Sequence, residues 1–554
     1  MKIKDVIIGV FASKSTLYIL LLSWLGVIAF SYFMLPPGDD GRTYFEPAIA
    51  FLYGKVQWGV FIGDDFDPHF IGFPTFSYAQ YVFLFFASLL KIPINLYTNK
   101  MFHMILIFSL ILLTVHLLYL YLYRLNKSDY IVKSNLFLVL LSVTPFAQQC
   151  WQIRPEVFGD VLIVIGLIFF CYWKLTNNNK NILFYLSAIF LGLSAAVHPN
   201  FMIVAGILTI AIIVTNFIKG NRFQSVLFGF VATIPLLLIA SWFLIYYPES
   251  IQEFRLQVAN HKSSLGGIKR LVAEALLLSD WQSTFIKLFY FIFWFPLLVI
   301  IVTVFALIVK NIKSLLIHNT FNILLLPISV SIITLMIISR GDDSYFVIYS
   351  FFMSLVFVLV FRFGKQSHIH LDCNKRISSA FALLCLISIV FMHTYIHTAK
   401  FLFPPEKPYY APAVYKAVTD SLNPEDTLFI TKKRQVPVFY DYVEAKYRGN
   451  SGINNIFIVF AQPALEYDKR KLTMLLKSKV DSINHDRTVW GVWKSSTNYD
   501  HENMKLIWSN DYQPKNSNPL YLDFNIKEII YEDKHHLFFR PKMIAFEEHK
   551  LQQK

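Results

Sequence analysis

The chain reads as an α-helical polytopic membrane protein of about eleven transmembrane helices, with outer-face interfacial helices and a small C-terminal soluble α/β domain. Three observations predict this. Of the 554 residues 55% are hydrophobic and only 16% charged, with a mean hydropathy of +0.49, which a soluble chain of this size does not reach. Apolar runs of about 18 or more residues recur, the length that crosses a bilayer. Lys and Arg collect in every second turn between those runs, the pattern that retains loops in the cytoplasm.

The runs predict spans near 17–35, 101–123, 132–149, 157–173, 182–198, 200–218, 224–245, 284–309, 320–338, 345–361 and 377–397. The first has too long an apolar core for a signal peptide and ends in "FMLPPGDD" with no small-residue cleavage site, so it is expected to stay. Lys2, Lys4 and Lys14 precede it, which puts the N-terminus in the cytoplasm. An odd number of spans then puts the C-terminus outside. Segment 75–92, "TFSYAQYVFLFFASLLKI", would place the basic turn at 124–133 outside if it crossed. It is read as a helix lying along the outer interface, where aromatic rings prefer to sit. After about residue 398 the composition changes. "FPPEKPYYAP" is a linker, and patches such as "DTLFIT" and "NIFIVFAQ" predict strands of a soluble domain over 398–554.

The net charge of +14 is explained by the retained loops, and with the basic residues spread rather than gathered in a stripe no nucleic-acid partner is expected. Cys150, Cys171, Cys373 and Cys385 form no CxxC, so neither a zinc site nor a disulfide framework is indicated. No P-loop and no GxSxG occurs. The lipid bilayer is the first partner implied.

The predicted topology gathers the chemistry-bearing residues on the outer side. Loop 36–100 opens with "PPGDDGRTYFEPA", the next outer turn is "QIRPEVFGD", and "SRGDDSYF" follows near 340. Asp39 and Asp40 stand where a lipid substrate and a water-side substrate meet, although an acidic pair after Pro-Pro also simply ends and solvates a helix. Arg154 has the planar donors that grip phosphate, and Glu156 or Asp160 offers a second acid. The plain alternative for that turn is a helix start with Pro155 in the first position and Glu156 favoured by the dipole. Asp64, Asp65, Asp67 and His69 lie within six residues and make a divalent cation possible through hard oxygen ligands. Acidic outer loops also just stay wet. His198 in "AVHPN" reads as structural, and His261, Lys262, Lys269 and Arg270 as a solvated loop or a lid.

In these pieces the chain resembles the GT-C glycosyltransferases that take sugar from a polyprenyl-phosphate carrier, such as the lipid A aminoarabinose transferases and the protein O-mannosyltransferases of glycosyltransferase family 39. The resemblance lies in "DDGRTYFEPAIAFLYGK", an acidic pair followed by a helix ending near glycine, and in "DPHFIGFPTFSYAQYVFLFFASLL", a proline-led aromatic helix. It covers roughly the first 200 residues in order, and more loosely the turn near 340 and the tail. It implies a GT-C-like catalytic membrane domain over 1–397 and an extracytoplasmic domain over 398–554. The setting implied is a bacterial inner membrane, with the active site periplasmic.

The same resemblance implies Asp40, or its neighbour Asp39, as the catalytic base. Family members often carry Asp-Glu four residues ahead of the tyrosine, whereas here Gly41 stands in place of Glu and Tyr44 closes the motif. Arg154, Arg340, Tyr345 and Arg42 are implied as donor-phosphate contacts, Glu156 as a second catalytic acid, and Tyr44, Asp160 and His69 as substrate contacts. The donor implied is a polyprenyl-phosphate-linked sugar and the acceptor a hydroxyl of a glycan, lipid or protein, by inverting single displacement. Two other functions compete. A lipid-linked glycan polymerase or ligase would concentrate its chemistry in a late outer loop. A lipid or sugar transporter would need a polar path through the spans, and ion-coupled ones hold charges near the midplane.

Overall fold

Long apolar stretches make helices here because a backbone inside lipid must satisfy its own hydrogen bonds. The computed structural model describes residues 11–34, 41–54, 74–123 except 95, 129–143, 146, 153–176, 181–246 except 219, and isolated residues at 351–358. In the C-terminal part it describes 418, 421–430 except 424 and 425 and excluding 419 and 420, 455–458, 485–509 except 495 and 496, and 521–547 except 535. The helices are α1 Lys14–Met34, α2 Gly41–Leu52, α3 Thr75–Leu89, α4 Leu96–Tyr123, α5 Asp129–Val143, α6 Pro155–Leu175, α7 Asn181–Ala195, α8 Pro199–Ile218 and α9 Arg222–Tyr246.

Among the described residues five helices, α1, α4, α6, α8 and α9, are long and apolar enough to cross a membrane. At the spans expected at 132–149 and 182–198 the described helices α5 and α7 have 15 residues each, a rise of about 22 Å against a hydrocarbon core of about 30 Å. Residues 124–128, 144, 145 and 177–180, which flank them, lie outside the described residues, and α7 ends in the turn that leads to Pro199. The spans expected at 284–309, 320–338 and 377–397, and most of 345–361, lie outside the described residues. Segment 75–92 forms α3, also 15 residues. It is one-faced as expected: Phe76, Gln80, Leu84 and Ala87 are buried, while Tyr78, Val82, Phe85, Phe86 and Leu89 are exposed.

The chain divides into two compact units, one made of Met1–Leu35, Gly72–Ala79 and Lys100–Thr398, the other of Pro36–Ile71, Gln80–Asn99 and Ala399–Lys554. In the first, the indole N–H of Trp24 on α1 donates to the Leu138 carbonyl of α5 at 3.2 Å. Buried Asn135 donates to the carbonyls of Phe11 and Ser13 at the start of α1. α7 and α9 meet backbone to backbone. A Cβ on Gly192 would stand 2.2 Å from the Ala232 carbonyl oxygen and 3.1 Å from Pro235 Cδ, so only glycine fits that crossing.

In the second unit α2 buries Phe45, Ala48 and Ile49 against Leu84, Ala87 and Ile94. It ends as the sequence implies, with Gly54 at φ +71 beyond the last turn. The C-terminal part carries a seven-stranded sheet: β1 Thr427–Ile430, β2 Asn455–Ile458, β3 Thr488–Trp493, β4 Thr497–Asp500, β5 Lys505–Ser509, β6 Tyr521–Glu532 and β7 His536–Glu547, in the order β2-β1-β3-β7-β6-β5-β4. The patches "DTLFIT" and "NIFIVFAQ" contain β1 and β2. β1 pairs in parallel with β2 and β3, and the other pairs are antiparallel. Among the described residues this domain is β-rich rather than the α/β mixture expected. The long hairpin β6–β7 and its antiparallel neighbour β5, itself paired with β4, supply most of the described strands. Its core is aromatic: Phe429 and Trp490, register partners on β1 and β3, stack with centroids 4.4 Å apart and planes 8° apart.

Candidate functional site

The most charged buried spot in the first unit is the start of α6. Arg154 is the N-cap in extended conformation, φ −141 and ψ 156, with no side-chain cap bond, and Pro155 follows in the first turn, where its missing N–H costs nothing. Glu156 lies in that same turn, favoured by the helix dipole. Asp160 follows four residues later, which brings it to the same helix face. Both carboxylates are inside the protein, Glu156 0% and Asp160 1% exposed.

Burying a carboxylate costs several kcal/mol unless charge and hydrogen bonds compensate. Arg154 Nε stands 3.4 Å from Glu156 Oε1, a separation of ion-pair rather than good hydrogen-bond length. Asp160 Oδ1 is buried with no hydrogen-bond partner among the described residues. This turn therefore keeps an acceptor oxygen that no described residue uses.

Packing around the turn is close. A Cβ on Gly159 would lie 2.6 Å from the ring of Phe201 on α8, and Gly159 O accepts a hydrogen bond from Ser194 Oγ of α7 at 3.0 Å. Phe158 meets Phe76 of α3 with centroids 6.0 Å apart. In the turn between α7 and α8, His198 Nδ1 accepts the Asn200 backbone N–H at 3.3 Å, the local role expected for a histidine beside proline.

The described residues thus bring Arg154, Glu156 and Asp160 together. Tyr44 is buried on α2, in the other unit. Arg42 lies in the first turn of the same helix, and α2 begins directly after Asp39 and Asp40. Asp39, Asp40, Asp64, Asp65, Asp67, His69, Arg340 and Tyr345 lie outside the described residues. Among the described residues no group of three or more His, Cys, Asp or Glu side chains is placed to hold a metal ion.

Two buried polar features were not anticipated from the sequence. The ammonium of Lys100 donates to the carbonyl of Tyr32 in the last turn of α1 and lies 5.5 Å from the Tyr32 ring centroid. Gln80 Nε2 donates to Asn99 Oδ1 at 2.7 Å, with both side chains buried. The signal was the polar run "YTNK" directly ahead of the span expected at 101–123, which α4 extends through.

The described residues thus form a helical part with apolar spans and a small β-rich C-terminal part. Among solved structures, that of ArnT from Cupriavidus metallidurans bound to undecaprenyl phosphate is similar over 95% of this chain and 97% of its own, with a TM-score of 0.53 and 11% identity. The same protein in its apo state covers 95% and 98%, with a TM-score of 0.51 and 11% identity. At that identity the likeness is one of fold. No protein-family model matches the sequence, and no curated protein matches it.

Proposed function

We propose that this protein is a membrane glycosyltransferase that moves a sugar from a polyprenyl-phosphate carrier to a hydroxyl group of a glycan, lipid or protein. The observation that carries the reading is the likeness of fold, along nearly the whole of both chains, to a protein crystallised with undecaprenyl phosphate. The motifs of the first outer loop and the buried charges of α6 support it. The reaction is assigned to the outer side of the membrane, which the basic turns put opposite the N-terminus. In this reading the membrane part, 1–397, carries the chemistry and 398–554 is an extracytoplasmic domain.

The chemistry needs few groups. Asp40, with Asp39 as the alternative, takes the proton from the acceptor hydroxyl. The hydroxyl oxygen attacks the anomeric carbon, the bond from that carbon to the phosphate oxygen breaks, and polyprenyl phosphate leaves with the electron pair. The sugar inverts, because in a single displacement the hydroxyl oxygen enters on the face opposite the departing phosphate, and one carboxylate on the acceptor side suffices. Arg154, Arg340, Arg42 and Tyr345 steady the phosphate, Glu156 orients Arg154, and Tyr44, Asp160 and His69 contact substrate. A divalent cation held by Asp64, Asp65 and Asp67 would add charge at the phosphate.

Incubation of the purified protein with a panel of polyprenyl-phosphate sugars, following release of polyprenyl phosphate, tests this. Release that depends on added acceptor is the expected result. No release with any donor and acceptor pair overturns the assignment.

A further inference from the structure

The first turn of α3 is moored to the helical bundle in three places. Thr75 Oγ1 donates to the carbonyl of Ala196, in the turn between α7 and α8. Phe76 is wholly buried, with its ring 6.0 Å from Phe102 of α4 and 6.0 Å from Phe158 of α6, centroid to centroid. Tyr78 accepts a 2.8 Å hydrogen bond from the indole N–H of Trp242 on α9, and the two rings meet edge to face at 6.3 Å.

Phe158 stands between Glu156 and Asp160 in the chain. The acidic turn of α6 is therefore gripped by two elements: Phe76 packs on Phe158, and the end of α7 and start of α8 close over Gly159. Thr75 ties those two grips to each other. Ring packing alone resists separation but not sliding, because stacked rings tolerate offsets. Hydrogen bonds are directional, and the Tyr78–Trp242 bond fixes where Phe76 sits along α6. It is also the most exposed of the three moorings, so its loss leaves no buried cavity.

We propose that the first turn of α3 is a clamp on the acidic turn of α6, and that Tyr78 and Trp242 are positioning residues for the carboxyl groups of Glu156 and Asp160. The catalytic consequence rests on the glycosyltransferase reading; the mechanical one does not. Misplacing a reacting or substrate-holding group by about 1 Å costs up to about 100-fold in rate.

The test uses the full chain with Tyr78→Phe, which keeps its ring and loses the hydroxyl, with Trp242→Phe, which loses the indole N–H and trims the ring that also meets Phe243 and Tyr246, and with the double variant. Hydrogen–deuterium exchange at amides 157–161 should quicken by about tenfold in either single variant, the scale of a local opening. The double variant should add nothing further, and amides 205–215 of α8 should stay as they were. In the kinetic arm, kcat for polyprenyl-phosphate release should fall by about tenfold with the donor KM held within about twofold. Because a loss of folded protein would also lower apparent kcat at constant KM, the rate is referred to the folded fraction, measured by thermal melting of each variant. Unchanged exchange at 157–161 in both single variants, or additive effects in the double, overturns the clamp. If the wild-type protein releases no polyprenyl phosphate, the functional reading fails while the exchange arm still decides the clamp.

Discussion

Two buried charge clusters in this molecule are built in opposite ways. In the C-terminal domain Asp426, ahead of β1, receives two hydrogen bonds from Arg540 of β7, at 3.0 and 2.6 Å, and a third from the Asn423 backbone N–H at 2.8 Å. Arg540 also donates to the Asp486 carbonyl at 3.3 Å. At the start of α6 the Arg154–Glu156 contact is 3.4 Å, and Asp160 keeps an oxygen that no described residue satisfies. The first cluster is a fork-to-fork pair that holds strand ends together. In the second, Asp160 Oδ1 is buried without a partner among the described residues, the kind of local cost carried by a site kept for something other than folding.

The comparison breaks most sharply at Asp426. Asp426→Ala would strip the mostly buried Arg540 guanidinium of its fork partner, leaving the Asp486 carbonyl and Glu528 at 3.7 Å, and the C-terminal domain should lose about 2–3 kcal/mol, read as an earlier melting of its sheet amides. Asp160→Asn should do the reverse. It keeps the shape of a buried side chain and removes its acid, so thermal stability should hold or rise, while transfer should fall by about 100-fold. If Asp160→Asn destabilises the protein as Asp426→Ala does, the two clusters are alike and α6 carries only structure.

A smaller effect is expected from Arg154. Arg154→Ala should weaken donor use, and Arg154→Lys should restore only part of it, because an ammonium lacks the planar fork. In the sheet, a Cβ at position 491 would stand 2.4 Å from the ring of wholly buried Phe538. Gly491→Ala should therefore cost about 1–3 kcal/mol, checked by denaturant melts, without altering donor affinity.

The pH dependence gives the finest distinction. Burial pushes the Asp426 carboxyl up, but the hydrogen bonds from Arg540 and Asn423 and the charges of Arg540 and Arg487 outweigh it and hold the group below its usual range. A carboxylate depressed on folding contributes stability that is fully present above its unfolded value of about 3.9 and is lost as pH falls through the folded value. The sheet should therefore melt at a constant temperature from pH 7 to about pH 5, and lose this contribution only below about pH 4. Asp426→Asn should flatten that part of the curve.

Much of the architecture was legible in local chemistry. Lipid leaves a backbone few options, so α1, α4, α6, α8 and α9 follow from apolar length alone. The aromatic stripe of 75–92 declared a one-faced helix, and Pro155 with Glu156 marked where α6 starts. At 132–149 and 182–198 hydropathy marks apolar runs but not where their helices end; for α7 that end is the turn before Pro199. Only the patches that hold β1 and β2 stood out in the sequence, because β6 and β7 mix charge with hydrophobes along a hairpin whose register shifts near Asn525 and Ile529. Composition placed Arg154, Glu156 and Asp160 in one turn, but not their burial, nor the grip of Phe76 and Phe201 on either side. Those contacts join residues far apart in the chain.

The central claim is that a carboxylate behind the first span activates the acceptor in a glycosyl transfer. The most direct measurement is the rate of acceptor-dependent polyprenyl-phosphate release by Asp40→Asn and by the double variant Asp39→Asn/Asp40→Asn, alongside donor binding. Loss of a general base costs about 100- to 10,000-fold, so release should nearly vanish in the double variant while folding and donor affinity stay as in the parent protein. Release at the parent rate from the double variant would contradict the account.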